Sequence, residues 1–257
     1  MMDNAFVIGH GFVGKATCKS LDIPNYFSLS ESNITLEEGA KLQFCFICLP
    51  TPTDENGTQT EARKVIADYV KQIVQYNKNI VFVIRSTVTP GTCKSLAKEY
   101  GALVASNPEF LSEDTWEEDA IHPRIIVYGT DSPVVKTMME SVWKGIPCKI
   151  RVETDTVTSE TLKYAFNTFF ATKIIWANQL YDICQKNGAN YKVIHEALHE
   201  HPWGSKHHLK VLHKGGRGAG GHCFPKDLKL FAQYGNSELL KTVEKLNNEY
   251  LTKTNKT

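Results

Sequence analysis

The sequence predicts an α/β fold in its first part and an all-helical fold in its second part. Short apolar runs alternate with helical patterns as far as about residue 150, which is typical of an open α/β sheet. From Thr156 to Lys186 the helical periodicity continues without glycine or proline. We therefore expect one domain over residues 1–155 and a second over residues 156–257.

Composition narrows the class of protein. The chain has 257 residues, with 29 Lys plus Arg against 28 Asp plus Glu, so charge gives no reason to expect nucleic-acid binding. Seven cysteines cannot all pair, and the start has no basic region followed by an apolar stretch. No apolar run reaches the ~20 residues of a membrane span. We expect a cytoplasmic protein with free thiols, no signal peptide and no membrane partner.

The predicted strands are short apolar runs suited to burial on both faces of a parallel sheet. They are Ala5–Ile8, Tyr26–Leu29, Phe44–Leu49, Ile80–Ile84, Leu103–Ala105 and Ile125–Tyr128. Helical patterns lie between them, beginning with 13–21 and most clearly at 61–76.

A glycine-rich turn, Gly9-x-Gly11-Phe12-Val13-Gly14, joins the first strand to the first helix. The first glycine permits a tight turn, the second allows close approach of a pyrophosphate, and the third allows the helix to pack on the strand. The helix N-terminus then faces the phosphates. The pattern predicts a Rossmann-type, doubly wound sheet that binds a dinucleotide; the alternative is a purely structural turn.

An NAD site also favours an acidic residue after the second strand. The candidates are Ser30 and Glu31, and strand phase favours Ser30, which is not an acid. The sequence therefore gives only a modest preference for NAD over NADP, because the favoured position carries no acidic side chain.

Polar side chains follow three later strands. Pro50 and Thr51 follow one, Thr87 the next, and Glu109 with Glu113 a third. The carboxyl ends of the strands are where an open α/β sheet binds its ligands. These loops could be merely rigid, but carboxylates and hydroxyls at such an edge more often form a site.

The helical part carries further candidates. Lys163 and Asn167 are four residues apart and share one helical face, although a lone surface lysine would be simply solvated. Cys223 follows a glycine-rich stretch and precedes Lys226 and Asp227. That setting is typical of an activated thiol, whereas an isolated cysteine is usually a small buried hydrophobe.

Together these motifs resemble the UDP-glucose/GDP-mannose dehydrogenase family, whose order they follow across nearly the whole chain. The matching segments are Gly9-x-Gly11-x-x-Gly14, Pro50-Thr51-Pro52, Ser86-Thr87-Val88, Asn107-Pro108-Glu109-Phe110-Leu111-x-Glu113, Lys163-x-x-x-Asn167 and Gly220-Gly221-x-Cys223-Phe224-Pro225-Lys226-Asp227. The resemblance implies two successive NAD-dependent oxidations of a primary alcohol on a nucleotide sugar, such as UDP-glucose, to a carboxylate.

The resemblance also implies roles for individual residues. Lys163 with Asp227 accepts the alcohol proton, and Lys163 with Asn167 stabilises the negative charge that develops on the alcohol oxygen. Cys223 forms a thiohemiacetal and then a thioester.

Glu109 is implied as the base for thioester hydrolysis, Thr87 holds the water, and Glu113 assists on the substrate side. The residues expected to bind the cofactor are Gly9, Gly11, Phe12, Val13, Gly14, Ser30, Glu31, Pro50, Thr51, Thr87 and Lys226.

Members of this family usually continue into a third domain that binds the nucleotide part of the nucleotide sugar, whereas this sequence stops soon after the helical pattern 238–250. We therefore expect a missing UDP-binding domain or a separate UDP-binding chain, and weak turnover by these residues alone. The apolar long helix predicts an all-helical dimerisation domain and a homodimer.

Two alternatives remain open: a short β-hydroxyacid-type dehydrogenase, and a non-catalytic NAD-binding or dimerisation remnant. His195-Glu196-x-x-His199 matches a zinc-protease pattern, but the resemblance places it on a peripheral helix, so no metal is expected.

Overall fold

The computed structural model describes residues 1–212 and 216–254. Residues 213–215 and 255–257 of the predicted helical domain lie outside the described residues. The chain divides into two compact units, the first comprising Met1–Pro52 with Gln59–Lys163 and the second Thr53–Thr58 with Tyr164–Thr257.

The first unit contains a sheet of seven strands within residues 1–163, all of which the structure describes. The strands are β1 (Ala5–Ile8), β2 (Asn25–Phe27), β3 (Phe44–Ile47), β4 (Val81–Ile84), β5 (Leu103–Ser106), β6 (Ile125–Gly129) and β7 (Ile150–Thr154). Their order is β2-β1-β3-β4-β5-β6-β7, and every neighbouring pair is parallel except β5 and β6.

Helices connect these strands and cover both faces of the sheet. They are α1 (Phe12–Leu21), α2 (Leu36–Ala40), α3 (Thr60–Val74), α4 (Thr92–Tyr100), α5 (Trp116–Ile121) and α6 (Pro133–Trp143), followed by the start of α7 (Thr156–Asn187). Alternate residues of β1 enter two separate cores: Phe6 packs with α3 and α4 residues, whereas Val7 packs with Leu21 of α1 and Met139 of α6. The prediction of a doubly wound α/β sheet is confirmed.

β7 was absent from the predicted strands, and its sequence explains why. Polar residues interrupt Ile150-Arg151-Val152-Glu153-Thr154, so it has no continuous apolar run, and all five residues are exposed or half-buried. A strand at the edge of a sheet needs less apolar surface than a central one.

The second unit contains the rest of α7 together with α8 (Tyr191–Glu200), α9 (Phe224–Tyr234) and α10 (Glu238–Thr254). Its core includes Ile175 of α7, Leu228 of α9, and Val243 and Tyr250 of α10. The predicted change from mixed to helical architecture is confirmed. Across the described ranges, no helix combines the length and apolar character that a membrane crossing requires.

Candidate functional site

The glycine turn between β1 and α1 has two positions that only glycine fits. Gly9 has φ +91°, and a Cβ there would lie 2.6 Å from the Cys48 carbonyl oxygen. A Cβ on Gly14 would lie 1.8 Å from the Gly9 carbonyl oxygen. By contrast, nothing lies within 4 Å of a Cβ on Gly11. Gly9 and Gly14 therefore serve the fold, whereas Gly11 leaves open space.

This open space fits the pyrophosphate of a dinucleotide. α1 begins at Phe12, and its N-cap residue, Gly11, provides no side-chain acceptor for the first backbone N–H groups. Exposed N–H groups at a helix start bind phosphate oxygens, and the helix dipole favours their negative charge. Val13 packs against the sheet core and fixes the direction of the helix. The described residues are thus compatible with NAD.

The acidic residue beside this turn is Glu31. His10, between the first two glycines, lies with its Nδ1 2.6 Å from Glu31 Oε1 and stacks on Tyr26 at 3.7 Å between ring centroids. The hydrogen bond with His10 lowers the pKa of the Glu31 carboxyl. Ser30 instead lies 3.4 Å from the Ser28 hydroxyl. β2 ends at Phe27, before both candidates, and Ser30 and Glu31 both remain predicted cofactor-binding residues.

The structure ties two of the predicted loops together. The Thr51 hydroxyl donates to the Thr87 carbonyl oxygen at 2.6 Å, and Gln59 Nε2 donates to the carbonyl oxygens of Thr51 and Thr87 at 3.1 and 3.2 Å. Pro50 is exposed beside them, and Glu113 is exposed in the loop after β5. Gln59 was not predicted, since nothing in its local sequence distinguishes it from a solvated loop residue.

Lys163 and Glu109 form a buried ion pair in the first unit. Lys163 Nζ lies 2.9 Å from Glu109 Oε1 and 2.8 Å from the Glu109 carbonyl oxygen, and the two residues are 4% and 8% exposed. Burial raises the pKa of Glu109, but Lys163, the Leu111 N–H and the charge of Arg85 outweigh it. The net pKa lies below the usual value, so Glu109 is held as a carboxylate.

A second buried carboxylate, Glu160, lies on α7 one turn before Lys163 and was not predicted. Its oxygens accept from the N–H groups of Gly91 and Cys93 at 2.5 and 2.8 Å, at the start of α4. Burial raises the pKa of Glu160 to about 7. Gly91 supplies no side-chain cap of its own, so Glu160 caps α4 from a distant part of the chain.

In the second unit, a cluster of polar side chains surrounds the start of α9. Asn167 Nδ2 donates to Asp227 Oδ2 at 2.6 Å, and Lys226 Nζ lies 2.5 Å from Asp227 Oδ1. The Asp227 N–H donates to the Cys223 carbonyl oxygen at 3.0 Å. Asp227 is buried, whereas Cys223 is exposed just before the first residue of α9, Phe224. A helix start favours negative charge, which suits a thiolate.

Cys223 differs from the other cysteines. All seven lie within the described residues, and Cys223 alone is exposed. Burial raises the pKa of Cys18 to about 12 and that of Cys48 to about 11, and it holds those of Cys45 and Cys93 well above the usual value. The thiol that the sequence predicts as reactive is therefore the accessible one.

The glycine-rich stretch before Cys223 is anchored by Arg217, which was also not predicted. Its Nε donates to Asn178 Oδ1 at 2.9 Å, it pairs with Asp182 at 2.8 Å, and its guanidinium lies 4.4 Å from the centroid of the Tyr250 ring. Gly218, with φ +85°, allows the chain to turn here. The stretch is thus fixed to α7 and α10 of its own unit.

The part of the chain that the structure describes holds no cluster of metal-ligating side chains.

Comparison with known proteins places these features in a family. Residues 26–147 match the NAD binding domain of the UDP-glucose/GDP-mannose dehydrogenase family, and residues 157–249 match its central domain. The first match confirms the predicted cofactor, NAD. The UDP-glucose 6-dehydrogenase of Rickettsia typhi is 34% identical over 211 residues, covering 78% of this chain and 46% of the relative. The chain thus spans about half the length of such curated relatives.

Solved structures share the fold. The UDP-glucose dehydrogenase of the archaeon Pyrobaculum islandicum is 25% identical with a TM-score of 0.82, covering 97% of this chain and 68% of that one. A 3-hydroxyisobutyrate dehydrogenase of Mycobacterium tuberculosis has a TM-score of 0.76 at 13% identity, covering 97% and 94%. The latter likeness shows the fold alone.

Proposed function

Because the chain belongs to the UDP-glucose/GDP-mannose dehydrogenase family, we propose that it is an NAD-dependent oxidoreductase that converts the primary alcohol of a nucleotide sugar into a carboxylate. The proposed substrate is UDP-glucose and the proposed product is UDP-glucuronate. The site residues predicted from sequence keep their predicted roles in this proposal.

The observation that carries the proposal is Cys223, the exposed thiol at the start of α9 beside the buried Asp227. Oxidising an alcohol only to a carbonyl requires no thiol. Oxidising an aldehyde further to an acid is easier when a nucleophile first adds to the carbonyl carbon. An accessible thiol therefore supports two oxidations rather than one.

In the first oxidation the substrate loses a proton from its hydroxyl. Bound NAD supplies the hydride acceptor for each oxidation. We assign the proton to Lys163 with Asp227, through water; because Lys163 is an ammonium group in its ion pair with Glu109, the Asp227 carboxylate is the member of the pair that accepts it. Lys163 and Asn167 stabilise the negative charge that develops on the oxygen. The ion pair with Glu109 fixes the position of the Lys163 ammonium group.

In the second oxidation the Cys223 thiolate adds to the aldehyde carbon and forms a thiohemiacetal, which is oxidised to a thioester. A water molecule held by Thr87 then adds to the thioester carbon, Glu109 accepts its proton, and the C–S bond breaks to release the acid and the thiolate. The lowered pKa of Glu109 keeps it ionised and able to accept that proton.

The test is the number of NADH molecules formed per sugar, measured at 340 nm with the protein in excess so that slow turnover does not matter. We expect two in the wild type. Cys223→Ser should stop after the first oxidation, and the matched variant Cys148→Ser, at a half-buried cysteine, should still give two.

A ratio of one that Cys223→Ser leaves unchanged would refute the thioester mechanism and favour the β-hydroxyacid-type alternative. No NADH from any variant would favour the non-catalytic alternative.

The surface of α7 supports a homodimer. Phe169, Trp176 and Ile183 are 60%, 50% and 54% exposed and follow one another at intervals of seven residues. This spacing gives one apolar stripe along the helix, a pattern that pairs with another helix. A separate UDP-binding chain is the second partner that we propose.

For the dimer, light scattering of the wild type should give twice the mass of one chain. Trp176→Glu should give a monomer, because a charge on the stripe disfavours pairing. Trp203→Glu, at a tryptophan that is exposed in the second unit, is the matched control and should remain a dimer. A monomeric wild type would contradict the proposal.

A further inference from the structure

A cavity of about 60 Å³ lies in the first unit, between the sheet and the helices on one of its faces. Its lining includes Arg85 after β4, Asn107 and Glu109 after β5, Asp119 of α5, Arg124 before β6 and Trp143 of α6. The predicted motif 107–113 contributes Asn107 and Glu109 to this lining, and of the residues just named the proposed reaction uses Glu109 alone.

Two N–H donors at this cavity have no acceptor. Arg85 is 6% exposed and Trp143 is 3% exposed, yet Arg85 Nε and Trp143 Nε1 make no hydrogen bond to any described residue. Buried polar groups nearly always have a partner, so two such donors lining one cavity indicate a missing acceptor.

Other contacts fix the two side chains in place. One terminal nitrogen of Arg85 donates to Asn107 Oδ1 at 2.6 Å, and its guanidinium lies 5.7 Å from the centroid of the Trp143 ring. The Arg85 guanidinium is therefore fixed by the Asn107 amide on one side and by the Trp143 ring on the other.

The carboxylates of the lining are engaged elsewhere. Asp119 accepts hydrogen bonds from the Ser112 N–H and the Thr115 hydroxyl, and Glu109 pairs with Lys163. Within the described residues Arg85 has no carboxylate at hydrogen-bonding distance, and Arg124 adds a second cation at the exposed side of the lining. The named lining thus carries two arginines and two carboxylates, and the carboxylates have partners other than the unpaired Arg85 Nε and Trp143 Nε1.

We propose that this cavity binds a small oxyanion whose oxygens accept from Arg85 Nε and Trp143 Nε1. A volume of about 60 Å³ corresponds to about four to six water molecules, each needing about 10–15 Å³. Acetate, bicarbonate and inorganic phosphate are of this size, whereas a sugar or a nucleotide is too large.

Glu109 lines the same cavity, and the Arg85 charge helps to keep the Glu109 carboxyl ionised. A bound anion would offset that charge and raise the pKa of Glu109. Binding itself does not depend on the proposed function.

The experiment follows the four tryptophan indole N–H signals by ¹H–¹⁵N NMR of the ¹⁵N-labelled protein. Trp143→Phe assigns the Trp143 signal by its loss. Sodium acetate, bicarbonate and phosphate are titrated separately, with ionic strength held constant by sodium MES, whose anion is too large for the cavity. We expect a saturable shift of the Trp143 signal, while the signal of the exposed Trp203 stays unchanged.

Two variants test the donors. Arg85→Lys keeps the charge but removes the Nε donor and should weaken binding by at least about tenfold, read from the Trp143 signal. Arg63→Lys, the same change at a half-exposed arginine paired with Glu99, should leave the affinity unchanged. If Arg85→Lys does not fold, Trp143→Phe provides the same test, because it should abolish the rise in melting temperature that the anion gives the wild type.

If only acetate or bicarbonate saturates the signal, the site binds planar oxyanions, and if only phosphate does, it binds tetrahedral ones. If planar and tetrahedral anions both saturate it, the site binds small oxyanions of either shape. A Trp143 signal that follows none of the anions would mean that the cavity holds only water, and would overturn the proposal.

Discussion

Lys163 and Glu109 in the first unit are buried against each other, whereas Cys223 in the second unit is exposed at the start of a helix. The first pair is fixed by an ion pair, a backbone acceptor and burial. The cysteine is exposed, and what is buried beside it is its neighbour Asp227. The molecule therefore buries the Lys163–Glu109 pair and leaves the predicted nucleophile, Cys223, accessible.

The difference teaches that residues predicted to act in one reaction need not contribute equally to stability. A buried charge that loses its partner is strongly unfavourable, whereas an exposed thiol contributes little to the folded state. Substitutions in the first unit should thus affect both folding and activity, and substitution of Cys223 should affect activity alone.

The largest effect is expected for Lys163→Met, which leaves Glu109 buried without its cation. We expect the free energy of unfolding to fall by about 3–5 kcal/mol in urea. Cys223→Ser should change it by less than about 0.5 kcal/mol. Lys64→Met, at an exposed position of α3, is the matched control and should also have little effect.

The double variant Lys163→Met/Glu109→Gln should recover part of that loss, because it removes the unpaired charge. If Cys223→Ser were as destabilising as Lys163→Met, the contrast between the two units would be wrong.

The next effect concerns pH and Glu160. Its pKa is raised from 4.5 to about 7, so the folded state binds a proton that the unfolded state has released between these values. This contribution to stability is complete below pH 4.5 and is lost as pH rises to about 7, by about 3 kcal/mol in total.

Glu160→Gln should remove this pH dependence, measured as the difference in unfolding free energy between variant and wild type across that range. Its absolute stability is not the test, since glutamine accepts fewer hydrogen bonds from the start of α4. A constant difference across the range would contradict the assignment.

A smaller effect separates two glycines of one turn. Gly14→Ala places a methyl group against the Gly9 carbonyl and should cost about 1–3 kcal/mol of stability. Gly11→Ala meets open space, so it should leave stability nearly unchanged while weakening NAD binding. Fluorescence titration of NADH and urea unfolding of both variants measure the two effects, and tight NADH binding by Gly11→Ala would contradict the placement of the pyrophosphate.

The sequence predicted what depends on local pattern. The central strands were predicted from their apolar runs, and the glycine turn from the strand before it and the helix after it. Cys223 was predicted to be a reactive thiol from its glycine-rich setting and its neighbours Lys226 and Asp227, and the structure shows that it is exposed. Each of these features depends on residues that are adjacent in the sequence, so it can be predicted from a single sequence.

The sequence did not reveal residues whose roles arise from distant partners. Gln59, Glu160 and Arg217 look like ordinary polar residues until folding places them beside Thr87, Gly91 and Asp182. The contact between Glu31 and His10 is of the same kind, since the two residues lie about twenty positions apart in the chain.

Glu160 caps a helix, α4, that ends 60 residues before it in the chain. During synthesis, α4 and the strands through β6 leave the ribosome while the carboxylate that satisfies the Gly91 and Cys93 N–H groups is still to be made. Closing so long a loop is slow and entropically unfavourable. The last step in the maturation of the nucleotide-binding half is therefore expected to be the docking of the first two turns of α7, which deliver Glu160 and Lys163 together.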